Sequence, residues 1–366
     1  MSGARSLAER SKDLRMMAII GSRLASPDRR PRRRVLAAAL IALLAGLPGA
    51  ARAEKAEIAI AKQFSIAFLP LIVMERDRLI EKHARDAGLP EVKVNWLTFS
   101  GPDTMISSLL SGSADVAAAG IPGALIVWAR TRGSRQAVKG IAAIGAVPLY
   151  LVTRDPAIAS VRDFKDTDRI ATPGGKGTIN AVLLQMAVAQ TLGQASVSRF
   201  DPLLFSMGQP DATTAMLAGI DTVKSVVSTP PFQDQLLAVP GMRRLFSSFA
   251  VMGGPHSYAN VLATTRFHDE NPKLFGAIVA ALKEAEATIA ADPRGAIAGW
   301  IAATGSKLPL AVAARVLDEP GTNWSLTPQN VMTFADFMAR TGMIASAPAS
   351  WHDLYFPEAV SDRPGG

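Results

Sequence analysis

The 366-residue sequence contains no cysteine. This excludes a disulfide framework, thiolate metal ligands and a lipid-anchored N-terminal cysteine. Aromatic residues make up only 6% of the chain, so the position of each one carries information. The 4 histidines are scattered without a metal-binding spacing, and no G-x-S-x-G motif occurs. We therefore expect a protein that is not an enzyme and needs no metal or cofactor.

Charge of one sign is also missing from most of the chain. Residues 1–53 carry 11 basic and 3 acidic side chains and account for the whole formal net charge of +8, whereas residues 54–366 carry 28 of each sign. A basic surface attracts nucleic acid or anionic membranes, and no such excess remains after residue 53. We therefore expect no nucleic-acid partner.

Only one run of the sequence is long and apolar. It covers residues 35–50, follows the basic run at residues 29–34, and precedes the small residues Ala51 and Ala53. This order is typical of a secretory signal peptide, and a retained anchor helix is the alternative. We predict cleavage near Ala53 and a periplasmic protein with no stable membrane insertion, and both the Sec and the twin-arginine export routes stay open.

An internal repeat is the strongest pattern in the remaining sequence. Residues 100–122 and 206–230 each contain a glycine-bearing loop, a Pro-Asp helix start, an apolar helix ending near glycine, a short strand and a proline. Two copies predict two lobes of related structure facing each other across a cleft. The corresponding pairs are Gly112 and Gly219, Leu110 and Leu217, and Pro122 and Pro230.

Strands alternate with helices along the chain, which indicates parallel βαβ units and an α/β fold. An early helix is predicted at 68–83, a strongly apolar helix at 179–192, and C-terminal helices at 272–291, 293–304, 308–317 and 328–341. These last helices are expected to pack on the first lobe. The predicted domains are a signal peptide (1–53), lobe one (54–148, with the return at 258–358), lobe two (149–257) and a tail (359–366).

Ligands of open α/β sheets bind beyond the carboxyl ends of the strands, where helix N-termini also gather. Free amides at a helix start favour an anionic group, and glycine lets a ligand approach closely. Turn and capping chemistry explains any one such loop alone, whereas six at successive strand ends indicate a ligand site. The six loops are residues 63–65, 100–101, 120–123, 175–178, 206–209 and 229–230.

Side chains near these loops leave the nature of the ligand open. Asp103 and Asp211 lie in the first turns of the repeat helices, where they either cap the helix or hold an ammonium group of a zwitterion. Lys176 lies in a glycine-rich run without Walker A spacing, and either contacts the ligand or is solvated. Trp128, Phe164 and Phe275 are expected in the core. Five aromatic residues fit either the cleft or the core: Phe64, Phe68, Tyr150, Phe232 and Tyr258.

Four segments resemble the periplasmic solute-binding proteins of nitrate-, sulfonate- and taurine-type ABC importers. They are KQFSIAFLPLIVMERDRLIEKHA (62–84), LLSGSADVAAAGIPG (109–123), SMGQPD (206–211) and STPPFQ (228–233). The resemblance extends over residues 56–358, and relatives of that family include thiamine-precursor-binding proteins and a yeast thiamine-pyrimidine synthase. It implies a type II periplasmic binding protein fold, with two α/β lobes joined by two crossover strands.

The resemblance further implies a monomer that captures a small anionic or zwitterionic organic solute by lobe closure. Permease subunits of an ABC transporter are the implied partners. A pyrimidine-synthase-like enzyme of the same fold and a ligand-sensing module for a membrane receptor are the alternatives. By position, the ligand-binding residues are Gln63, Phe64, Ser65, Ser100, Gly101, Gly120, Ile121, Pro122, Lys176, Gly177, Met207, Gly208, Thr229 and Pro230.

Overall fold

The structure, a computed structural model, describes residues 53–360. The predicted signal peptide, apart from Ala53, and residues 361–366 of the predicted tail lie outside this range. From Glu54 onward the chain forms one compact unit. None of the helices within residues 53–360 combines the length and the apolar character needed to cross a membrane.

The strands of the described residues form two sheets of five. The first sheet has the order β2-β1-β3-β10-β4 and the second the order β7-β6-β8-β5-β9. The strands are β1 (Glu57–Lys62), β2 (Lys93–Thr98), β3 (Val116–Gly120), β4 (Val138–Ile144), β5 (Tyr150–Thr153), β6 (Ile170–Thr172), β7 (Leu204–Ser206), β8 (Ser225–Ser228), β9 (Arg243–Ser247) and β10 (Ala259–Thr264).

Both sheets follow one plan. The first three strands in each order are parallel, and the fourth runs antiparallel to both of its neighbours. The chain leaves the first sheet after β4 to form β5, and returns from the second sheet to form β10. Two crossovers, residues 145–149 and 253–258, therefore join two lobes, as predicted.

The helices flank these sheets. Helices α10 and α11 pack on α1 and α2, and α13 packs on α4, so the C-terminal helices cover the first lobe as predicted. The helices are α1 (Leu69–Arg76), α2 (Leu79–Asp86), α3 (Pro102–Ser111), α4 (Ile121–Thr131), α5 (Ile179–Leu192), α6 (Gln209–Leu217), α7 (Phe232–Leu237), α8 (Ser248–Met252), α9 (Thr265–Glu270), α10 (Pro272–Ala291), α11 (Pro293–Thr304), α12 (Leu310–Ala313), α13 (Val331–Arg340) and α14 (Pro357–Val360).

Three local predictions differ from the structure. The helix predicted at 68–83 is two helices, because Arg78 takes a left-handed conformation with φ 51° between α1 and α2. The helix predicted at 308–317 is the short α12 followed by the 3-10 helix Ala314–Asp318. Ala359 and Val360, predicted as tail, end α14 because their apolar side chains are buried.

The internal repeat is present in the structure. Helix α3 and strand β3 form the first copy, and α6 and β8 form the second. Gly112 and Gly219 follow the ends of the two helices with φ of 78° and 73°, a left-handed conformation that glycine adopts without a steric penalty. Each copy therefore brings a helix start and a strand end to the same edge of its sheet.

The cores of the two lobes differ in size. One large apolar cluster joins the first sheet to the C-terminal helices, and the predicted core residues Trp128 and Phe275 belong to it. The second sheet has a separate cluster on each face, because successive strand residues point to opposite sides: Leu151 lies in one cluster, with the predicted Phe164, and Tyr150 in the other. Helix α5 of the second lobe also packs into the first-lobe cluster through Ile179.

Candidate ligand site between the lobes

A small cavity of about 20 Å³ lies where the strand ends of both lobes meet. This is close to the volume that holds one water molecule, so the cavity has no room for a larger solute while the lobes are in this arrangement. Both lobes supply its wall: Gln63, Phe68, Pro102, Asp103, Ile106, Gly120, Gly123, Pro173, Gly177, Thr178, Ile179, Asn180 and Tyr258.

Three helices start at this cavity, because Pro102, Gly120 and Thr178 of its wall lie at the starts of α3, α4 and α5. A fourth helix, α6, starts at Gly208, which lies close to Ser100 of the other lobe but is not part of the wall. The positive ends of these helix dipoles favour negative charge in the region between the lobes. Two of the backbone amides at these helix starts already have a hydrogen-bond acceptor. Ile121 N donates to Tyr258 O at 3.2 Å, and Ala181 N donates to Thr178 Oγ1 at 3.3 Å.

The lobes touch directly around the cavity. Ser65 Oγ of the first lobe donates to Pro230 O of the second at 2.7 Å, a buried hydrogen bond. Gly101 lies so close to the second lobe that a Cβ on it would be 2.9 Å from Pro173 O. A side chain at that position would hold the lobes apart, so the glycine permits close contact.

Three of the predicted ligand-binding residues, Gln63, Gly120 and Gly177, line the cavity. Gly177 permits the contact between the lobes, because a Cβ there would lie 2.8 Å from Ile126 Cδ1. Ser100 and Gly208 face each other across the lobes, since a Cβ on Gly208 would be 3.6 Å from Ser100 Cβ.

Several other predicted residues lie around the cavity rather than in its wall. Ile121 and Pro122 are buried at the start of α4. Thr229 is buried beside the Tyr258 hydroxyl, whose pKa burial raises and Thr229 partly lowers. Met207 is half-buried, and its N–H donates to Thr172 O at 2.8 Å.

Two predicted residues point away from the cavity. The Phe64 side chain is 41% exposed, and the Phe64 carbonyl accepts a hydrogen bond from Trp300 Nε1 at 3.0 Å. Lys176 Nζ lies 3.0 Å from Asp201 Oδ2 in a neighbouring groove, and its side chain is 65% exposed. The ammonium group of Lys176 is therefore paired within its own lobe.

Thr178, the last residue of the predicted loop 175–178, lines the cavity. The sequence did not single out the next two residues, Ile179 and Asn180, which also belong to the wall, and Asn180 Nδ2 donates to Val227 O at 2.7 Å. The Gly-rich loop before this helix was the available signal. Of the aromatic residues left open, Phe68 and Tyr258 line the cavity in edge-to-face contact, with ring centroids 5.6 Å apart.

The two repeat carboxylates behave differently. Asp103 lines the cavity, and its Oδ2 lies 3.5 Å from the Gly175 N–H of the opposite lobe. Asp211 Oδ2 instead lies over the start of its own helix, where a Cβ on Gly208 would be 3.4 Å away. Asp103 therefore faces the cleft, whereas Asp211 lies over the first turn of its own helix.

The two crossovers between the lobes contain a buried hydrogen-bond network. His256 accepts at Nε2 from Ser248 Oγ at 2.8 Å, and Ser248 Oγ accepts from Leu149 N at 2.9 Å. The Nδ1–H of His256 donates to Ser257 O at 3.0 Å. Burial lowers the pKa of His256 to about 4, so the imidazole is neutral and each ring nitrogen has a partner.

A second group of polar residues joins the second lobe to the C-terminal segment. Glu319 accepts from the Tyr150 hydroxyl at 3.0 Å and from Ser247 Oγ at 3.3 Å, and Arg244 Nη1 lies 3.3 Å from it. Close by in α7, burial raises the pKa of Asp234 to about 7, against the opposing effect of Arg315. The C-terminal segment thus also contacts the second lobe, which the sequence did not predict.

Comparisons with known proteins agree with this architecture. A family model described as NMT1/THI5 like matches residues 83–296, more than half of the chain. No curated protein was found to match by sequence.

Among solved structures, the alkanesulfonate-binding protein SsuA from Xanthomonas axonopodis pv. citri, bound to MOPS, is 21% identical with a TM-score of 0.64, over 84% of this chain and 98% of that one. The aliphatic sulphonate binding protein SsuA from Escherichia coli is 22% identical with a TM-score of 0.58, over 82% and 99%. The nitrate-binding protein NrtA from Synechocystis PCC 6803 is 14% identical with a TM-score of 0.63, over 84% and 89%. The chain belongs to the NMT1/THI5-like family and has the two-lobed fold of the periplasmic binding proteins.

Proposed function

We propose that this protein is the substrate-binding component of an ABC importer. It captures a small anionic or zwitterionic organic solute as its lobes close, and delivers the solute to permease subunits in the membrane. The observation that carries this proposal is the meeting of three helix N-termini from both lobes at one cavity, with two crossovers as the hinge.

The family and the fold support this role. The named structural neighbours are binding proteins for sulfonates and nitrate, and a periplasmic location follows from the proposed signal peptide. We further propose that the mature protein is a monomer, with lobe boundaries near residues 149 and 258. The predicted ligand-binding residues belong to this proposal as the loops that surround the solute.

A pyrimidine-synthase-like enzyme is favoured less by the residues of the cavity. Such an enzyme needs a reactive histidine or lysine there, and the described residues of the wall include neither. His256 lies in the hinge, fully buried. A ligand-sensing module uses the same cleft, and co-purification with a receptor kinase rather than a permease distinguishes it.

Thermal-shift screening of residues 54–366, the compact unit, tests the proposal. The panel contains alkanesulfonates, taurine, nitrate, aromatic carboxylates and pyrimidines. A ligand at 100 times its dissociation constant stabilises the folded state by about 2.7 kcal/mol, which gives a clear rise in melting temperature. Small-angle X-ray scattering with the same compound should show a smaller radius of gyration as the lobes close. A panel without any rise contradicts the proposal.

A further inference from the structure

The charge of the cavity wall is unusual for a site that takes only an anion. Among the described residues that form the wall, Asp103 alone carries a charged side chain. Its neighbours are the amides of Gln63 and Asn180, the Thr178 hydroxyl and the ring of Tyr258. An oxyanion placed between the helix starts therefore has a carboxylate nearby and no basic side chain to balance it.

The orientation of Asp103 separates it from an ordinary helix cap. Its carboxylate reaches the Gly175 N–H of the opposite lobe, and the 3.5 Å distance is long for a hydrogen bond. Its counterpart in the repeat, Asp211, lies over its own helix start at Gly208. The same residue type in the same motif thus faces the cleft in one copy only.

A second feature of the wall suits a positively charged nitrogen. Phe68 and Tyr258 form an edge-to-face pair in the wall, and aromatic faces attract ammonium groups. A charged donor that enters between Asp103 and Gly175 replaces a long contact by a short, charge-assisted hydrogen bond. The helix starts at Gly101 and Thr178 remain available for an oxyanion at the other end of the same molecule.

We propose that Asp103 is the specificity-determining residue of this cleft, and that it selects a small zwitterion by pairing with its ammonium group. The substrate class is then an amino-substituted sulfonate, phosphonate or carboxylate with the two charges a few bonds apart. This inference rests on the proposed transport function and names its substrate. Lobe closure brings both charged ends into contact with protein at once, so a molecule that lacks the ammonium group loses one contact and meets an unpaired carboxylate.

Matched pairs of compounds test this inference by titration calorimetry on residues 54–366. The pairs are 2-aminoethanesulfonate with ethanesulfonate, 3-aminopropylphosphonate with propylphosphonate, and β-alanine with propionate. We expect at least one ammonium-bearing member to bind about tenfold or more tightly than its partner, the size of effect that one charged hydrogen bond supplies.

Two variants decide which residue is responsible. Asp103→Asn keeps the shape of the side chain and removes its charge, so the preference for the ammonium-bearing member should fall to less than about threefold. Asp211→Asn is the matched control, and should leave the preference unchanged. Both side chains are exposed, so both variants should melt like the wild type without ligand.

The outcomes separate the inference from the proposed function. Equal binding of the two members of a pair, or a preference that survives Asp103→Asn, overturns the inference while the solute-binding role stands. Loss of the preference in Asp211→Asn as well also overturns it. Absence of binding by every compound, including the bare anions, counts against the inference and the proposed function together.

Discussion

The two lobes follow one plan but use it differently at the cleft. Each has a sheet with the same strand directions, a helix start at a glycine and an aspartate in the first turn. In the first lobe, Gly101 and Asp103 both closely approach the opposite lobe, whereas in the second lobe Asp211 stays over its own helix start and Gly208 meets Ser100 only at an ordinary contact distance. The duplicated scaffold therefore supplies the geometry of a ligand site, and selectivity depends on where the copies differ.

The lobes also differ in how they are covered. The C-terminal helices extend the core of the first lobe, while each face of the second sheet has its own smaller cluster. Glu319 and α12 bring C-terminal residues into contact with the second lobe. The second lobe is therefore joined to the rest of the protein by the crossovers, by this contact and by α5, which packs into the first-lobe cluster.

The largest expected effects concern the change of the free energy of unfolding with pH. They come from two buried ionisable side chains, one packed with each lobe. His256 stacks edge-on against Phe334 of the first lobe, and its pKa is lowered from 6.5 to about 4 by burial. Asp234 lies in the second lobe, and its pKa is raised from 3.8 to about 7 by burial. A pKa difference of one unit corresponds to about 1.4 kcal/mol, so each group changes stability by about 3 to 4 kcal/mol over its range.

The contributions of His256 and Asp234 to the free energy of unfolding change with pH in opposite directions. The unfolded chain protonates His256 below about pH 6.5 while the folded protein does not, so this contribution is complete above pH 6.5 and is lost as the pH falls to about 4. The folded protein keeps Asp234 protonated where the unfolded chain is ionised, so that contribution is complete below about pH 4 and is lost as the pH rises to about 7. Between about pH 4 and pH 6.5 the contributions of these two side chains therefore oppose each other.

Asp234→Asn removes one of the two opposing contributions. We expect its free energy of unfolding, measured with urea, to rise by about 3 kcal/mol between pH 4 and 6.5, as His256 alone dictates. Asp336→Asn, at an exposed position of α13, is the control and should follow the wild-type profile. A profile of Asp234→Asn that runs parallel to the wild type would show that Asp234 is ionised in the folded protein.

A smaller effect is expected from the paired glycines at the helix starts. A Cβ on Gly101 would lie 2.9 Å from the backbone oxygen of Pro173, whereas a Cβ on Gly208 would make only ordinary contacts. Gly101→Ala should therefore hinder closure and weaken the binding of the best ligand about tenfold, or about 1.4 kcal/mol. Gly208→Ala should change the affinity less than about threefold.

Calorimetry of both variants, with melting temperatures measured without ligand, checks this difference. Because neither glycine has a left-handed φ, alanine introduces no backbone strain at either position. Equal losses of affinity in the two variants would mean that the lobes do not approach each other at Gly101 when ligand is bound.

The sequence predicted the regular parts of the fold well, because their signals are local. Helix α5 has the predicted bounds 179–192, since Thr178 caps it and Gly193 follows it, and α10 and α11 begin at prolines as predicted. Strand β9 was missed because RRLFS does not alternate, and its hydrogen bonds come from pairing with β5, about 90 residues earlier in the chain. No glycine or proline marks the break at Arg78.

The site was predicted less fully, for a physical reason. Strand-end loops can be located from sequence, and those at Gly120 and Gly177 do meet at the cavity. The direction of a long side chain depends instead on partners that are distant in sequence, such as Asp201 for Lys176 and Trp300 for the Phe64 loop. The apolar first turn of α5 gave no polar signal, although Ile179 belongs to the wall.

The smallest expected effect concerns Lys176, the basic residue of the second-lobe loop that has no counterpart in the first-lobe motif. Its ammonium group is largely exposed and pairs with Asp201, and exposed ion pairs contribute about 0 to 1 kcal/mol. Lys176→Ala should therefore lower the melting temperature only slightly and change ligand affinity less than about threefold. Asp201→Asn, which removes the same pair from the other side, should match it in both measurements. A tenfold loss of affinity in Lys176→Ala alone would mean that the lysine leaves Asp201 and reaches the oxyanion, so that the second lobe supplies the positive contact opposite Asp103.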